Sequence, residues 1–286
     1  MRDTRPLSGL SEIAGDYDAL LCDAWGVIHN GHALFPGAAE ALTRFRQERG
    51  PVIVITNAPR LSDVIPAQLE RLGLPAEAYD DIVTSGDATR AEVERRTGMA
   101  FFRLGPAKDD GLFDAIETAF VPLEDAEAIL CTGMLDDMNE TPDDYRDMLA
   151  GAAERGLPMI CANPDKVVRY GDKLIYCAGA LGDVYEAMGG KVILAGKPHE
   201  PIYHLALEAA AVGGGQPPRR PLVIGDGVQT DILGANRQGF DSVFVADGIF
   251  SQEARGENGR LDERKLAALL DEHGVHAEFA MDGLRW

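Results

Sequence analysis

The chain has 286 residues, of which 45% are hydrophobic and 26% charged. That is long enough for two domains and too apolar for a disordered polypeptide. Its formal net charge of −20, from 47 acidic residues against 27 lysines and arginines, excludes a surface built for nucleic acid or for an anionic membrane face. No run approaches the roughly 18–20 apolar residues of a bilayer span, and the first 18 residues lack the apolar stretch of a signal peptide, so a cytoplasmic location is expected. Four cysteines (Cys22, Cys131, Cys161 and Cys177) show no C-x-x-C spacing and read as buried free thiols.

Short apolar runs alternate with longer amphipathic stretches, which predicts an α/β protein with a parallel sheet. In chain order, strands are expected at 19–23, 52–56, 129–132, 158–162, 192–195, 221–225 and 242–246. Helices are expected at 37–49, 86–97, 142–155, 199–212, 229–238 and 262–272. Turn signals such as Pro36-Gly37, Arg49-Gly50-Pro51, Gly156-Leu157-Pro158 and Gly213-Gly214-Gly215 separate them.

The first strand, Ala19-Leu-Leu-Cys22, stops at a lone carboxylate, Asp23, and a glycine turn at Gly26 follows. A buried parallel strand delivers a reactive side chain to the carboxyl edge of a sheet in this way. Thr56-Asn57 closes the run Val52-Ile-Val-Ile55, and Gly225-Asp226-Gly227-x-x-Thr230-Asp231 follows Leu222-Val-Ile224. Lys197 stands in Gly196-Lys197-Pro198, before a helix. Each segment alone has an ordinary reading as a turn, a cap or a solvated charge. In an open parallel sheet, however, residues just past the strand ends converge on one crevice. No G-x-G-x-x-G follows the first strand, which argues against a dinucleotide cofactor.

In this order, the four segments resemble the motif series of the haloacid dehalogenase (HAD) superfamily over nearly the whole chain. Phe35-Pro-Gly-Ala-Ala-Glu-Ala-Leu42, Ala162-Asn-Pro-Asp165 and Gly179-Ala-Leu-Gly182 are further similar to its class IIA branch, the 4-nitrophenylphosphatase and nucleotide-monophosphatase-like hydrolases. The resemblance implies a Rossmann-like parallel-sheet core, residues 1–80 and 189–286, with an inserted α/β cap of the C2 type, 81–188. It implies a hydrolase of small phosphorylated molecules that needs Mg²⁺; the acidic charge and the lack of a bilayer-length apolar run, read above, argue against nucleic-acid and membrane partners. A homodimer is compatible with it.

The resemblance also distributes roles. Asp23 would be nucleophile and metal ligand, Asp226 a second ligand, and the backbone carbonyl of Trp25 a third. Asp231 would order the metal's water shell or hold Lys197. Thr56 would hydrogen-bond the transferring phosphoryl group, with Asn57 beside it, and Lys197 would neutralise its charge. Ser85, Asn163 and Asp165 are candidates for contacting the rest of the substrate. These residue types suit the chemistry, because a carboxylate cannot attack an anionic phosphate unless the charges are offset.

Trp25 departs from the family pattern, which places there a second aspartate that protonates the leaving oxygen. Such help is worth roughly 10²–10⁴-fold, and an indole cannot supply it. Three outcomes follow: a substrate with an acidic leaving group, a surrogate acid such as His29, His32 or His199, or a catalytically impaired protein that binds a phosphorylated ligand in a regulatory role.

Overall fold

A computed structural model describes residues 4–170, 173–211 and 215–286. The expected turn at Gly213-Gly214 and the last residue of the expected helix 199–212 lie outside them. Two sheets organise the chain. The larger has seven strands, in the order Arg5–Pro6, Phe279–Met281, Asp241–Val245, Pro221–Gly225, Ala19–Cys22, Val52–Thr56 and Asp81–Thr84, and every neighbouring pair is parallel.

Its central strands, Ala19–Cys22, Val52–Thr56 and Pro221–Gly225, are buried at every position. That burial follows from helices on both faces and explains why these segments read as unbroken apolar runs. Leu20, Val54 and Ile224 point to one face and pack with Leu42 and Phe45 of helix Ala38–Glu48 and Leu69 of helix Ile65–Leu72. Leu21, Ile53 and Val223 point to the other and meet Ile202, Tyr203 and Ala206 of helix Glu200–Ala210.

The second sheet has five parallel strands, in the order Lys191–Leu194, Pro158–Cys161, Ala128–Cys131, Ala100–Leu104 and Ala119–Phe120. Leu149 of helix Arg146–Glu154 and Leu181 and Tyr185 of helix Ala178–Ala187 cover one face, and Leu112 and Phe113 of helix Asp110–Asp114 the other. An antiparallel pair, Val167–Tyr170 with Lys173–Tyr176, projects from this domain. The parallel fold class and the inserted α/β cap expected from the sequence are both present.

The expected domain limits of 81 and 188 need correction. Asp81–Thr84 is the edge strand of the seven-stranded sheet, with Ile82 and Val83 buried. Lys191–Leu194 pairs with Pro158–Cys161 in the cap sheet, not in the core. The cap therefore begins after residue 84 and ends after residue 194. Helix Ser85–Glu94 bridges the two domains: Ala88 packs into the core and Val93 into the cap. Its start is fixed by a capping box in which the Thr84 hydroxyl accepts from the Asp87 N–H and the Asp87 carboxylate accepts from the Thr84 N–H. Among the described residues no helix is long and apolar enough to cross a membrane.

Candidate active site

The carboxyl ends of the core strands open onto a cavity of about 1230 Å³, whose walls combine core residues (Asp23, Thr56, Asp226) with cap residues (Lys108, Asn163, Tyr170). Asp23 is the first residue past Ala19–Cys22, and its N–H donates to the Ile224 carbonyl of the adjacent strand at 2.8 Å. Asp226 follows Pro221–Gly225, and its Oδ2 accepts from the Ile249 N–H at 2.6 Å. Gly26 has φ +85°, and a Cβ there would lie 2.1 Å from that same oxygen, so only glycine lets the first turn pass the Asp226 carboxylate.

Lys197 lies on the connection that returns from the cap strand to the core helix. Its ammonium is 2.5 Å from Asp23 Oδ1 and 2.7 Å from Asp231 Oδ1, and the residue is only 2% exposed. Asp231 sits in a π-helical turn, Val228–Ile232, which runs into helix Leu233–Gln238; its Oδ2 accepts from the Gly227 N–H at 3.0 Å. Such turns recur at functional sites because they redirect one side chain out of helical register.

Asn57 locks Lys197 in place. Its Oδ1 accepts from the Lys197 N–H at 2.8 Å, and its Nδ2 donates to the Lys197 carbonyl at 3.1 Å and to Asp165 Oδ1 at 2.9 Å. Thr56 is buried on the cavity wall, and its hydroxyl accepts from the Ala58 N–H at 3.2 Å. The structure thus brings together Asp23, Thr56, Asn57, Lys197, Asp226 and Asp231 from four separate stretches of chain.

Oxygen atoms of Asp23, Asp226 and Asp231 all lie within 4.8 Å of one another, and all three residues are buried. Against these carboxylates stands one ammonium, Lys197. Burial pushes the Asp23 carboxyl well above its usual value. For Asp226, burial and then the Asp231 charge push it up to about 7. Burial opposes the Lys197 charge, but Asp23, Asp231 and Asp165 outweigh it and hold the ammonium well above the ordinary lysine value. A buried oxygen-donor set with excess negative charge fits a hard divalent cation.

The Trp25 indole occupies a slot of its own. Its six-membered ring lies where a Cβ on Gly31 would come within 2.6 Å, so Gly31 makes room for it. The ring meets His29 edge-on at 4.9 Å between centroids and tilts against Tyr170 of the cap hairpin at 6.2 Å. His29 is buried, its Nδ1 accepts from the Gly31 N–H at 3.0 Å, and burial lowers its pKa to about 4. A neutral histidine committed in this way is not a proton donor. His32 tilts against Tyr170 at 4.3 Å between centroids, and burial and then Arg237 lower the His199 pKa.

Of the three substrate-contact candidates, Asp165 and Asn163 reach the cavity wall. Asn163 Oδ1 is occupied by the Asp165 N–H at 3.0 Å. Ser85 does not reach the wall: it is fully buried behind Gly196, where a Cβ would approach both Ser85 Oγ and Asn57 Oδ1 to 2.5 Å. Its expected role is therefore corrected to a packing position under Asn57. Sequence reasoning missed Ile249, whose N–H holds Asp226, and the pair Arg60–Asp109, 3.5 Å apart, which joins a core loop to the cap. These lie in loops without a motif, and no local signal marks them.

A parallel-sheet core with these carboxylates at its strand ends, a buried lysine and an inserted cap defines a hydrolase class. The chain belongs to the haloacid dehalogenase-like hydrolase family. The "Haloacid dehalogenase-like hydrolase" family model matches residues 20–115, and a second HAD-hydrolase-like model matches 194–270. A haloacid dehalogenase-like hydrolase from Brucella suis is 39% identical, superposes with a TM-score of 0.86, and is covered over 99% of its chain by 97% of this one. The chain is 24% identical to the acid sugar phosphatase of Staphylococcus saprophyticus, over 83% of this chain and 90% of that enzyme. A glycerol phosphate phosphatase from Mycobacterium tuberculosis, solved in complex with magnesium, is 27% identical, with a TM-score of 0.64 and coverage of 89% of this chain and 77% of that one.

Proposed function

We infer that this protein is a Mg²⁺-dependent phosphatase of the class IIA branch, acting on a small phosphorylated substrate through an aspartyl-phosphate intermediate. The observation that carries this reading is the Lys197 ammonium between Asp23 and Asp231, beside Asp226 and on the wall of a cavity of substrate size. Relatives named as phosphatases support it, as does the magnesium complex of one of them.

Asp23, Asp226 and the backbone carbonyl of Trp25 would hold Mg²⁺, which when bound neutralises phosphoryl charge as a Lewis acid. The Asp23 carboxylate attacks phosphorus. Lys197, fixed by Asn57 on both sides of its backbone, offsets the charge of the phosphoryl oxygens without having to reorganise. Thr56, at the end of its strand, orients the same group. Asp231 keeps the ammonium from collapsing wholly onto the nucleophile.

Hydrolysis of p-nitrophenyl phosphate with and without Mg²⁺ tests this reading. Metal-dependent turnover supports it. Tight binding of a phosphorylated ligand with no turnover of any ester would instead favour the regulatory reading, which the presence of Trp25 at the acid position keeps in view.

A further inference from the structure

Given the phosphatase reading above, on which this rests, we propose that Asp165, a cap residue, serves as the general acid–base that position 25 lacks. The geometry assigns it by connection and by elimination. Its Oδ1 accepts from Asn57 Nδ2 at 2.9 Å, and Asn57 is the residue that clamps Lys197 against Asp23. Asp165 is thus two links from the nucleophile's own cation, although it comes from the other domain.

Other carboxylates on the cavity wall are already engaged. Asp109 faces Arg60, Asp137 faces Lys108 and Asp247 faces Arg255, while Asp23, Asp226 and Asp231 form the buried carboxylate cluster around Lys197. Asp165 has no lysine, arginine or histidine within ion-pair distance among the described residues. It is partly exposed, and that exposure is to the cavity. The three histidines near the motif segments are disposed as described above: His29 is buried with its Nδ1 taken by the Gly31 N–H, His32 packs against Tyr170 of the hairpin, and the His199 pKa is lowered by burial and then by Arg237.

The backbone of Asp165 is fixed. Its N–H donates to Asn163 Oδ1, and its carbonyl accepts from the Gly179 N–H at 3.1 Å. A Cβ on Gly179 would come within 2.5 Å of that carbonyl, so the start of helix Ala178–Ala187 presses directly on the loop. A carboxylate so supported has the rigidity that proton transfer requires. Burial raises its pKa, with a further push from Asp231; Lys197, the Asn57 hydrogen bond and Lys166 act in the opposite direction, and the net shift is upward. An acid intended to donate near neutral pH needs a shift of that sign.

In the first step Asp23 forms a bond to phosphorus, the bond from phosphorus to the leaving oxygen breaks, and that oxygen takes the proton of Asp165. In the second step the Asp165 carboxylate removes a proton from water as the water oxygen bonds to phosphorus. The bond from phosphorus to Asp23 then breaks, releasing inorganic phosphate and restoring both carboxyl groups.

Asp165→Asn tests the assignment, with glycerol 3-phosphate and p-nitrophenyl phosphate as the alkyl and aryl probes. Turnover of the alkyl ester should fall by about 10²-fold or more. The aryl ester, whose leaving group needs no proton, should give a stoichiometric burst of nitrophenolate followed by slow release of phosphate. Trp25→Asp in the Asp165→Asn background should restore part of the alkyl activity. Alkyl turnover kept within about twofold overturns the proposal, as does an equal loss on both esters without a burst, which is the mark of a structural role. A wild-type protein inert toward both esters overturns the phosphatase reading and this assignment with it; an active wild type matched by Asp165→Asn overturns this assignment alone.

Discussion

The Lys197 ammonium lies 2.5 Å from the Asp23 carboxylate, although 174 positions separate the two residues along the chain. Between them the chain completes half of the core and all of the cap. The contact therefore forms only once the chain, having left the core for the cap, returns to the core sheet, where Asn57 holds the Lys197 backbone. It sits at the centre of a buried group in which carboxylates outnumber ammonium groups, an arrangement that a bound cation would complete.

Replacing Asp23 with Asn removes the nucleophile and a metal-ligating oxygen while preserving shape. Phosphatase activity should fall by about 10²-fold or more, with the melting temperature close to that of the wild type. Retention of more than about a tenth of the turnover would show that the nucleophile lies elsewhere.

Asp226 and Asp231 should separate in a calorimetric Mg²⁺ titration. Asp226→Ala removes a carboxylate held by the Ile249 N–H at the edge of the cluster and should weaken affinity strongly. Asp231→Ala removes a residue whose oxygens are taken by Lys197 and by the Gly227 N–H, so the loss of affinity should be smaller. Equal losses would contradict the assignment of Asp226 as the ligand.

Metal-free protein should become less stable as pH rises. Asp226 has its pKa pushed up to about 7 by burial and by Asp231, against about 4 for an unfolded aspartate. The folded state therefore binds the proton more tightly, and the stability this gives is fully present below about pH 4 and lost as pH rises through about 7. Thermal melts in chelator from pH 5 to 8 should show the decline, and Asp226→Asn should flatten it. Added Mg²⁺ should stabilise the wild type most at the upper end of that range. A wild-type melting temperature that rises steadily across the window would refute the sign of this effect.

Tyr170 packs on both Trp25 and His32 across the mouth of the site. An aromatic pair of this kind is worth about 0.5–1.5 kcal/mol beyond its buried area. Tyr170→Ala should raise KM for small phosphate esters by about two- to tenfold, the equivalent of that energy, with little change in kcat. A loss confined to kcat would place Tyr170 in the chemistry rather than in closure of the cap.

Local residue order carried much of this protein by itself. The unbroken apolar strands, the carboxylate at the end of the first, the Thr-Asn pair, the Gly-Lys-Pro turn and the Gly-Asp-Gly turn are each written within a few consecutive residues, and parallel-sheet geometry makes strand ends converge. That logic points to Asp23, Thr56, Asn57, Lys197, Asp226 and Asp231 as strand-end residues facing one crevice, whereas Trp25 stands out only against the pattern of the family that the sequence resembles. Tertiary structure decided the rest. Asp81–Thr84 and Lys191–Leu194 carry strand-like sequences, but the sheet each joins depends on partners in Val52–Thr56 and Pro158–Cys161. Ser85 is polar and follows a strand, yet it packs under Gly196 and never reaches the cavity. The link from Asp165 to Asn57 spans 108 positions, and the seat of Trp25 depends on a glycine six residues away and a tyrosine from the other domain. Periodicity records which side of a segment is buried; what lies against that side is set by contacts between segments far apart in the chain.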